Sequence, residues 1–220
     1  MLLDVVAATR AVVSPSFAVA VAVKLNSADF QRGGFGVDDA RRVIAMLEPL
    51  DVDLVELSGG SYESPAMTGR PADTRTRSRE AYFLDLARDL VTTSPLPLML
   101  TGGITRRDTA DRVLDSGVAL IGMGTAPAVT PDLPERRRNG READRQLRPV
   151  AWTDKALASA ASMAQVRHQM RRIARGGAPR PGTHPARALL PEQRLQRWAL
   201  RHYRAWLPTA ETSRRLDHDE

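Results

Sequence analysis

The amino-acid sequence predicts an α/β protein, with a parallel sheet of about four strands, flanking helices and a helical C-terminal part. Four short apolar runs, rich in β-branched residues, alternate with segments in which apolar residues recur at helical spacing. Strands that alternate with helices imply right-handed crossovers and therefore parallel pairing. The strand pattern ends near residue 133, which predicts two regions, residues 1–133 and 134–220.

The first region begins with an amphipathic pattern, as if the chain were entered inside a helix. Residues 17–25 form an unbroken apolar run, which is typical of a strand buried on both faces. The next segment, residues 37–50, places four apolar residues on one helical face and two aspartates near the positive end of the helix dipole. It is predicted to be a helix that Pro49 helps to end.

The alternation then continues, with strands predicted at residues 52–60, 95–103 and 118–124. A helix is predicted at residues 78–91. Thr105 and Asp108 have capping-box spacing, so a second helix is expected to start there and to end at Gly117.

The second region is basic and is predicted to be mostly helical. Residues 134–220 carry 19 Lys+Arg against 9 Asp+Glu, a net charge of +10, whereas residues 1–133 carry 13 against 17, a net charge of −4. Helices are predicted at residues 154–177 and 191–207, joined by a linker at residues 178–187. Solvated, arginine-rich helices explain this charge, and the alternative is a footprint for nucleic acid or another anion. No nucleic-acid motif accompanies it, so nucleic acid is not expected as a partner.

Composition excludes several classes of site and suggests a location. The chain has no cysteine, which excludes disulfides and thiolate chemistry and fits a reducing compartment. Its longest apolar run is too short to span a bilayer, so we expect a cytoplasmic protein without a membrane partner. Four histidines without metal-ligand spacing predict no metal site: His168, His184, His202 and His218.

Glycines follow two neighbouring predicted strands: Gly102 and Gly103 after the third, Gly122 and Gly124 after the fourth. Ligands of parallel sheets bind at the carboxyl ends of strands, where glycines let backbone N–H groups approach an anion closely. These glycines could cradle one phosphate. The alternative is that they only make tight turns between strand and helix.

Taken in order, several segments resemble the C-terminal half of the NADH:flavin oxidoreductase family, the Old Yellow Enzyme relatives. They are "VKLNSADFQRGGF", "VDLVELSGGSYESPAM", "REAYFLDLAR", "LMLTGGI" and "PAVTPDLP". The resemblance implies the C-terminal half of a TIM (β/α)₈ barrel that holds FMN over the C-terminal ends of its strands. It also implies hydride transfer from NADH or NADPH to a small-molecule electron acceptor such as an activated alkene.

The resemblance also implies roles for individual residues. Lys24, at the end of the first predicted strand, matches the basic residue that faces the flavin N1/O2 region. Gly102 and Gly103 match one phosphate turn, and Gly124 with Thr125 matches the second. Ser58 and Tyr62 match a loop on the substrate side, although a polar surface turn would explain them equally. The catalytic residues of the family lie in its other half, so none is assigned.

Thr125 departs from the family pattern, which has an arginine there that pairs with the phosphate. Loss of a charge-assisted hydrogen bond worth roughly 1.5 to 3 kcal/mol weakens binding by about tenfold to a hundredfold. Arg106 or Arg107 could compensate, because both follow the first glycine turn.

Four predicted strands cannot close an eight-stranded barrel. We therefore expect a truncated protein that binds FMN weakly or not at all alone and has little activity of its own. One alternative is a non-enzymatic half-barrel that forms a homo-oligomer or pairs with a complementary half-barrel chain. The other is an arginine-rich protein that associates with anions or nucleic acid.

Overall fold

The chain forms two compact units, Met1–Gln146 and Leu147–Glu220. The computed structural model describes residues 1–13, 20–28, 32–59, 81, 83–141 and 145–216. The boundary predicted at residues 133 and 134 marks a change of composition, and it stays a prediction.

The first unit alternates helices with short strands. Its elements are α1 (Leu2–Val12), β1 (Ala22–Asn26), α2 (Val37–Leu47), β2 (Leu54–Ser58), α3 (Leu84–Val91), β3 (Leu98–Leu100), α4 (Arg107–Leu114), β4 (Leu120–Ile121), α5 (Thr125–Val129) and α6 (Leu133–Arg138). A 3₁₀ turn at Glu48–Leu50, with Pro49 in its first turn, follows α2.

The four strands form one sheet in the order β1-β2-β3-β4, and every pair is parallel. This confirms the predicted α/β class with four parallel strands and flanking helices. The strand order never reverses, unlike that of a doubly wound sheet, so the sheet corresponds to consecutive strands of a (β/α) barrel. All four carboxyl ends therefore lie at one edge of the sheet, called here the carboxyl edge.

Only one face of the sheet is buried. Burial alternates along β1 and β2, so Val23, Leu25, Val55 and Leu57 lie in the core. The other face, called here the open face, carries side chains that are all exposed or half-buried: Ala22, Lys24, Asn26, Leu54, Glu56, Ser58, Met99 and Leu120. The expectation that the first strand is buried on both faces was wrong, because the described helices α2, α3 and α4 leave alternate side chains of β1 exposed or half-buried.

The core lies between the sheet and its helices. Amphipathic α2, α3 and α4 pack on the covered face through small and branched apolar side chains, including Ile44, Leu90 and Val113. At the amino-terminal edge, Arg10 of α1 contacts the Asp53 carboxylate at 2.6 Å. The same carboxylate accepts a 2.7 Å bond from the Val21 N–H, and these two hydrogen bonds lower the pKa of Asp53. Folding thus places α1 at the edge opposite the carboxyl edge.

Two local predictions of element boundaries require correction. Helix α4 begins at Arg107 with Arg106 at the N-cap position, one residue later than predicted, and Asp108 accepts a hydrogen bond from the Thr109 N–H. The strands are also shorter than predicted. The first starts at Ala22 rather than residue 17, although residues 17–19 lie outside the described residues.

The second unit is a pair of helices, α7 (Lys155–Ala174) and α8 (Pro185–Leu216). Helix α8 starts inside the predicted linker, because proline fits the first turn of a helix, where its missing N–H costs nothing. Glu192 of α8 is buried and accepts hydrogen bonds from Arg167 at 2.7 Å and Arg171 at 2.6 Å on α7. Burial raises the pKa of Glu192, but the hydrogen bonds from Arg171 and Arg167 outweigh it and bring the pKa below its usual value.

Among the described residues, every helix is too short or too polar to cross a membrane.

Candidate functional site

Most of the predicted site residues lie at the carboxyl edge. Gly102 and Gly103 follow β3 directly, Gly124 follows β4 after a short turn, and Thr125 begins α5. Since β3 and β4 are hydrogen-bonded neighbours, the two glycine turns are adjacent. The fold thus brings these four residues to the same edge of the sheet, as the sequence predicts.

The first turn requires glycine. Gly102 has φ +107° and Gly103 has φ +71°, and both values lie in the region that side chains with a Cβ atom rarely adopt. The turn leads within a few residues into α4 at Arg107. Two consecutive glycines thus expose backbone close to the start of a helix, where an anion is stabilised.

The second turn uses its glycines differently. A Cβ atom on Gly122 would lie 2.5 Å from Met99 Cε and 2.5 Å from Thr101 Cγ2, so close packing against β3 requires glycine there. A Cβ atom on Gly124 would meet nothing within 4 Å, and Thr125 beside it is exposed. The space above the second turn is therefore open to a ligand.

Arg137 joins the two turns, although nothing in the run of three consecutive arginines distinguishes it from its neighbours. Its Nη2 donates to the Thr105 carbonyl at 3.2 Å, and its Nη1 lies 3.4 Å from Met123 Sδ. Thr105 ends the first glycine turn, and Met123 lies between the two glycines of the second. A half-buried guanidinium on α6 is therefore placed behind the pair of turns.

The two arginines suggested as compensation for Thr125 have other contacts. Arg106 Nε lies 3.6 Å from Asp108, and Arg107 Nε lies 3.6 Å from Asp111, so both guanidinium groups are close to carboxylates of α4. Arg137 contacts residues of both turns directly. It is therefore a further candidate, beside Arg106 and Arg107, for the cation next to the glycines.

Lys24 lies in the middle of β1 rather than at its end, because the strand continues to Asn26. Its Nζ forms an ion pair with Glu56, its register partner on β2. The lysine side chain is 54% exposed and the glutamate 23%, so the pair lies on the open face. Sequence reasoning missed Glu56. Side chains alternate between the two faces of a strand, so Glu56 lies on the opposite face from the buried Val55 and Leu57, and this alternation could have indicated it.

Ser58 ends β2 at the carboxyl edge, and its hydroxyl lies 3.5 Å from the Leu25 carbonyl of β1. Its carbonyl accepts hydrogen bonds from both the N–H and the hydroxyl of Ser27, each at 2.6 Å. These bonds fix the carboxyl ends of β1 and β2 to each other. Tyr62, the other residue predicted on the substrate side, lies outside the described residues.

Within the described ranges, His, Cys, Asp and Glu side chains form no group of three or more that could hold a metal ion. His168 lies in the second unit, where burial and the nearby Arg172 and Arg171 lower its pKa.

Comparison with known proteins gives a consistent set of relatives. No protein-family model matches the chain. The NADH-dependent flavin oxidoreductase iliE of Hypocrea jecorina is 34% identical over 140 residues, which covers 61% of this chain and 34% of that protein. The NADH-dependent flavin oxidoreductase nadA of Aspergillus parasiticus is 35% identical over 127 residues, which covers 57% of this chain and 28% of the relative. The chain thus spans about a third or less of the length of these relatives.

Among solved structures, histamine dehydrogenase from Rhizobium sp. 4-9 matches with a TM-score of 0.46 and 22% identity, over 56% of this chain and 17% of that one. The curated relatives confirm the resemblance predicted from the sequence: over about 60% of its length, the chain is similar to NADH-dependent flavin oxidoreductases.

Proposed function

We propose that the chain is the phosphate-binding part of an FMN-dependent NAD(P)H oxidoreductase of the Old Yellow Enzyme type. The observation that carries this proposal is the pair of adjacent glycine turns at the carboxyl edge, in a chain whose curated relatives are named NADH-dependent flavin oxidoreductases. The substrate would be a small electron acceptor such as an activated alkene. The absence of cysteine supports a reducing, cytoplasmic location.

The residues at the carboxyl edge fit a flavin phosphate. Backbone N–H groups of Gly102, Gly103 and Gly124 would hold the phosphate oxygens, and the Thr125 hydroxyl would donate one neutral hydrogen bond. Arg137 would hold the two turns together and add a positive charge behind them. Thr125 in place of arginine makes this site weaker than one with a guanidinium in direct contact.

Lys24 would supply positive charge on the open face, toward the flavin ring. A bound flavin accepts a hydride and passes it to the acceptor, and its reduced form is anionic, so a nearby cation stabilises it. The Glu56 carboxylate keeps the Lys24 ammonium over the open face and offsets part of its charge. Glu56 would thus orient the cation while reducing its effect on the flavin.

The ring end of the site is less complete than the phosphate end. The described sheet offers one wall, the open face, whereas a flavin ring is held between walls on both sides. We therefore propose that the chain alone binds FMN weakly and has little activity. A non-enzymatic half-barrel that assembles with another chain is the second candidate, and the uncovered face of the sheet favours it.

Flavin titration with two ligands tests the proposal. Riboflavin lacks the phosphate, so FMN should bind the full chain more tightly than riboflavin, as measured by quenching of flavin fluorescence. The variant Gly102→Ala/Gly103→Ala should lose this preference, since left-handed backbone costs roughly 1 to 2 kcal/mol per side chain with a Cβ atom.

Gly176→Ala is the matched control, because Gly176 also has a positive φ, +73°, and lies at the end of α7, in the second unit rather than in the glycine turns. A Cβ atom at this position would meet nothing within 4 Å. It should keep the preference for FMN. Equal affinity of the unmodified chain for FMN and riboflavin, or no binding of either at millimolar concentration, would exclude a phosphate site at the glycine turns. Bleaching of bound FMN by NADH or NADPH would extend the result from binding to hydride transfer.

A further inference from the structure

In the part of the chain that the structure describes, the open face of the sheet carries only exposed or half-buried side chains from β1 to β4. Parallel sheets are normally covered on both faces, because crossover connections put helices over them. Among the described residues, the connecting helices α2, α3 and α4 pack on one side, and Leu120, on the edge strand β4, is 51% exposed on the other side. Leu54 and Met99 accompany it, so an apolar surface lies beside the Lys24–Glu56 ion pair.

Both edges of the sheet are also free. Within the described ranges, β1 pairs only with β2, and β4 pairs only with β3. Strand edges carry unpaired N–H and C=O groups, which favour addition of another strand. The open face and the two edge strands belong to the same sheet, so one partner could cover the face and pair with both β1 and β4.

The number and direction of the strands indicate that a second copy of the chain is the partner that covers the open face and pairs with both edges. An eight-stranded parallel sheet closes into a barrel whose interior is just filled by side chains. The described sheet supplies four strands wound in one direction, so two copies supply eight. A two-fold axis along the barrel would make the two junctions identical, each joining β4 of one copy to β1 of the other.

We propose that two copies of this chain close their sheets into one eight-stranded barrel, with the open faces turned inward. The proposal rests on the sheet and not on flavin binding. It would bury the surface beside Lys24 in the barrel interior, and the partner copy would complete the carboxyl edge, where the ring end of the candidate site lacks walls. Burial of the two open faces adds no net charge to the barrel interior, because Lys24 and Glu56 form an ion pair within each copy.

Closure fixes which residues meet at the junction. Lys24, Glu56, Met99 and Leu120 lie on one line across the sheet. In a barrel of eight strands and shear 8, a line drawn across the strands returns to its first strand about eight residues nearer the amino terminus. Halfway around, where one copy meets the other, the displacement is about four residues. Leu120 of one copy should therefore lie beside Ala20 of the other, with both side chains pointing inward.

The absence of cysteine makes disulfide cross-linking a direct test. In the variant Ala20→Cys/Leu120→Cys, the two sites of one chain are separated by three strand spacings, about 14 Å, which is too far for a disulfide. Sites on neighbouring strands of two copies are within reach. Mild oxidation should convert most of this variant into a covalent dimer that a reductant separates.

Leu54→Cys/Leu120→Cys is the matched control, because both sites lie on the open face but β2 of one copy is not next to β4 of the other. It should give at least about tenfold less covalent dimer. Light scattering of the unmodified chain should give twice the monomer mass of 24.1 kDa, and circular dichroism should show that both cysteine variants fold. A monomer at all concentrations overturns the proposal. A dimer that cross-links no better in the first variant than in the control also overturns it, since another surface must then join the copies.

Discussion

The replacement Thr125→Arg tests the proposed phosphate site by restoring the charge that the site lacks. Thr125 is the exposed first residue of α5, and the preceding Gly124 has open space around it. An arginine side chain therefore fits without displacing any described neighbour. Its guanidinium would reach the space above the second glycine turn, where the phosphate is proposed to bind.

The expected gain follows from the exposure of the site. A hydrogen bond to a charged group contributes roughly 1.5 to 3 kcal/mol, but screening by solvent and the ordering of a long side chain reduce it. The lower end of that range corresponds to about tenfold tighter binding of FMN. Riboflavin affinity should not change, because the added charge acts on the phosphate alone.

The assay is a fluorescence titration of the unmodified chain and the variant with FMN and with riboflavin, at low and high salt. Thr92→Arg is the control, since Thr92 is also exposed and lies at the end of α3, on the way to the amino-terminal end of β3. It adds the same charge at the opposite edge and should leave both affinities unchanged. Equal tightening of FMN and riboflavin, or equal effects of the two arginines, would refute the placement of the phosphate.

Three further replacements probe the structure around the site and the second unit. Gly122→Ala should destabilise the first unit by about 1 to 3 kcal/mol through overpacking against β3, measured by urea unfolding, whereas Gly124→Ala should not. Arg137→Leu should reduce the preference for FMN over riboflavin, because it removes the contacts to both turns. Arg137→Lys should restore part of that preference. An unchanged preference in Arg137→Leu would show that these contacts do not contribute to binding. Glu192→Gln should cost the second unit about 1 to 3 kcal/mol at pH 7, from the lost bonds to two arginines. Because folding lowers the pKa of Glu192, the stability it contributes is present at neutral pH and is lost as the pH falls through that lowered pKa. The difference in melting temperature between the unmodified chain and Glu192→Gln should therefore shrink as the carboxyl is protonated in acid, and a difference that stays constant across the acid titration would contradict the assignment.

The order of strands and helices was predictable because each element carries its own periodic pattern. The position of the glycine turns followed directly, since parallel strands bring their carboxyl ends together. The covered and open faces were not predicted, because an unbroken apolar run hides the alternation that separates Val23 and Leu25 from Ala22 and Lys24. Burial on one face follows from the packing of α2, α3 and α4 on the same side of the sheet, which the apolar pattern does not specify.

Contacts between distant segments were the other limit. The sequence offered three consecutive arginines in α6, and their order along the chain gives no sign that Arg137 reaches Thr105 and Met123. Glu56 was missed for a related reason, since its pairing with Lys24 depends on the register of two strands. The start of α4 was predicted at Thr105 from spacing, whereas the helix begins at Arg107, so spacing alone did not fix the boundary.

The two ends of the proposed flavin site differ because they depend on contacts of different range. The phosphate end uses backbone from two neighbouring strands and one arginine on α6, so a four-stranded sheet can form it completely. The ring end needs walls from across a barrel, and no local feature of β1 to β4 can replace them. Dimerisation through the open face would supply such a wall without changing the phosphate turns. Affinity for FMN should therefore rise with protein concentration in step with the fraction of dimer measured by light scattering, while the ratio of FMN to riboflavin affinity stays constant, because that ratio is set by the glycine turns of each copy.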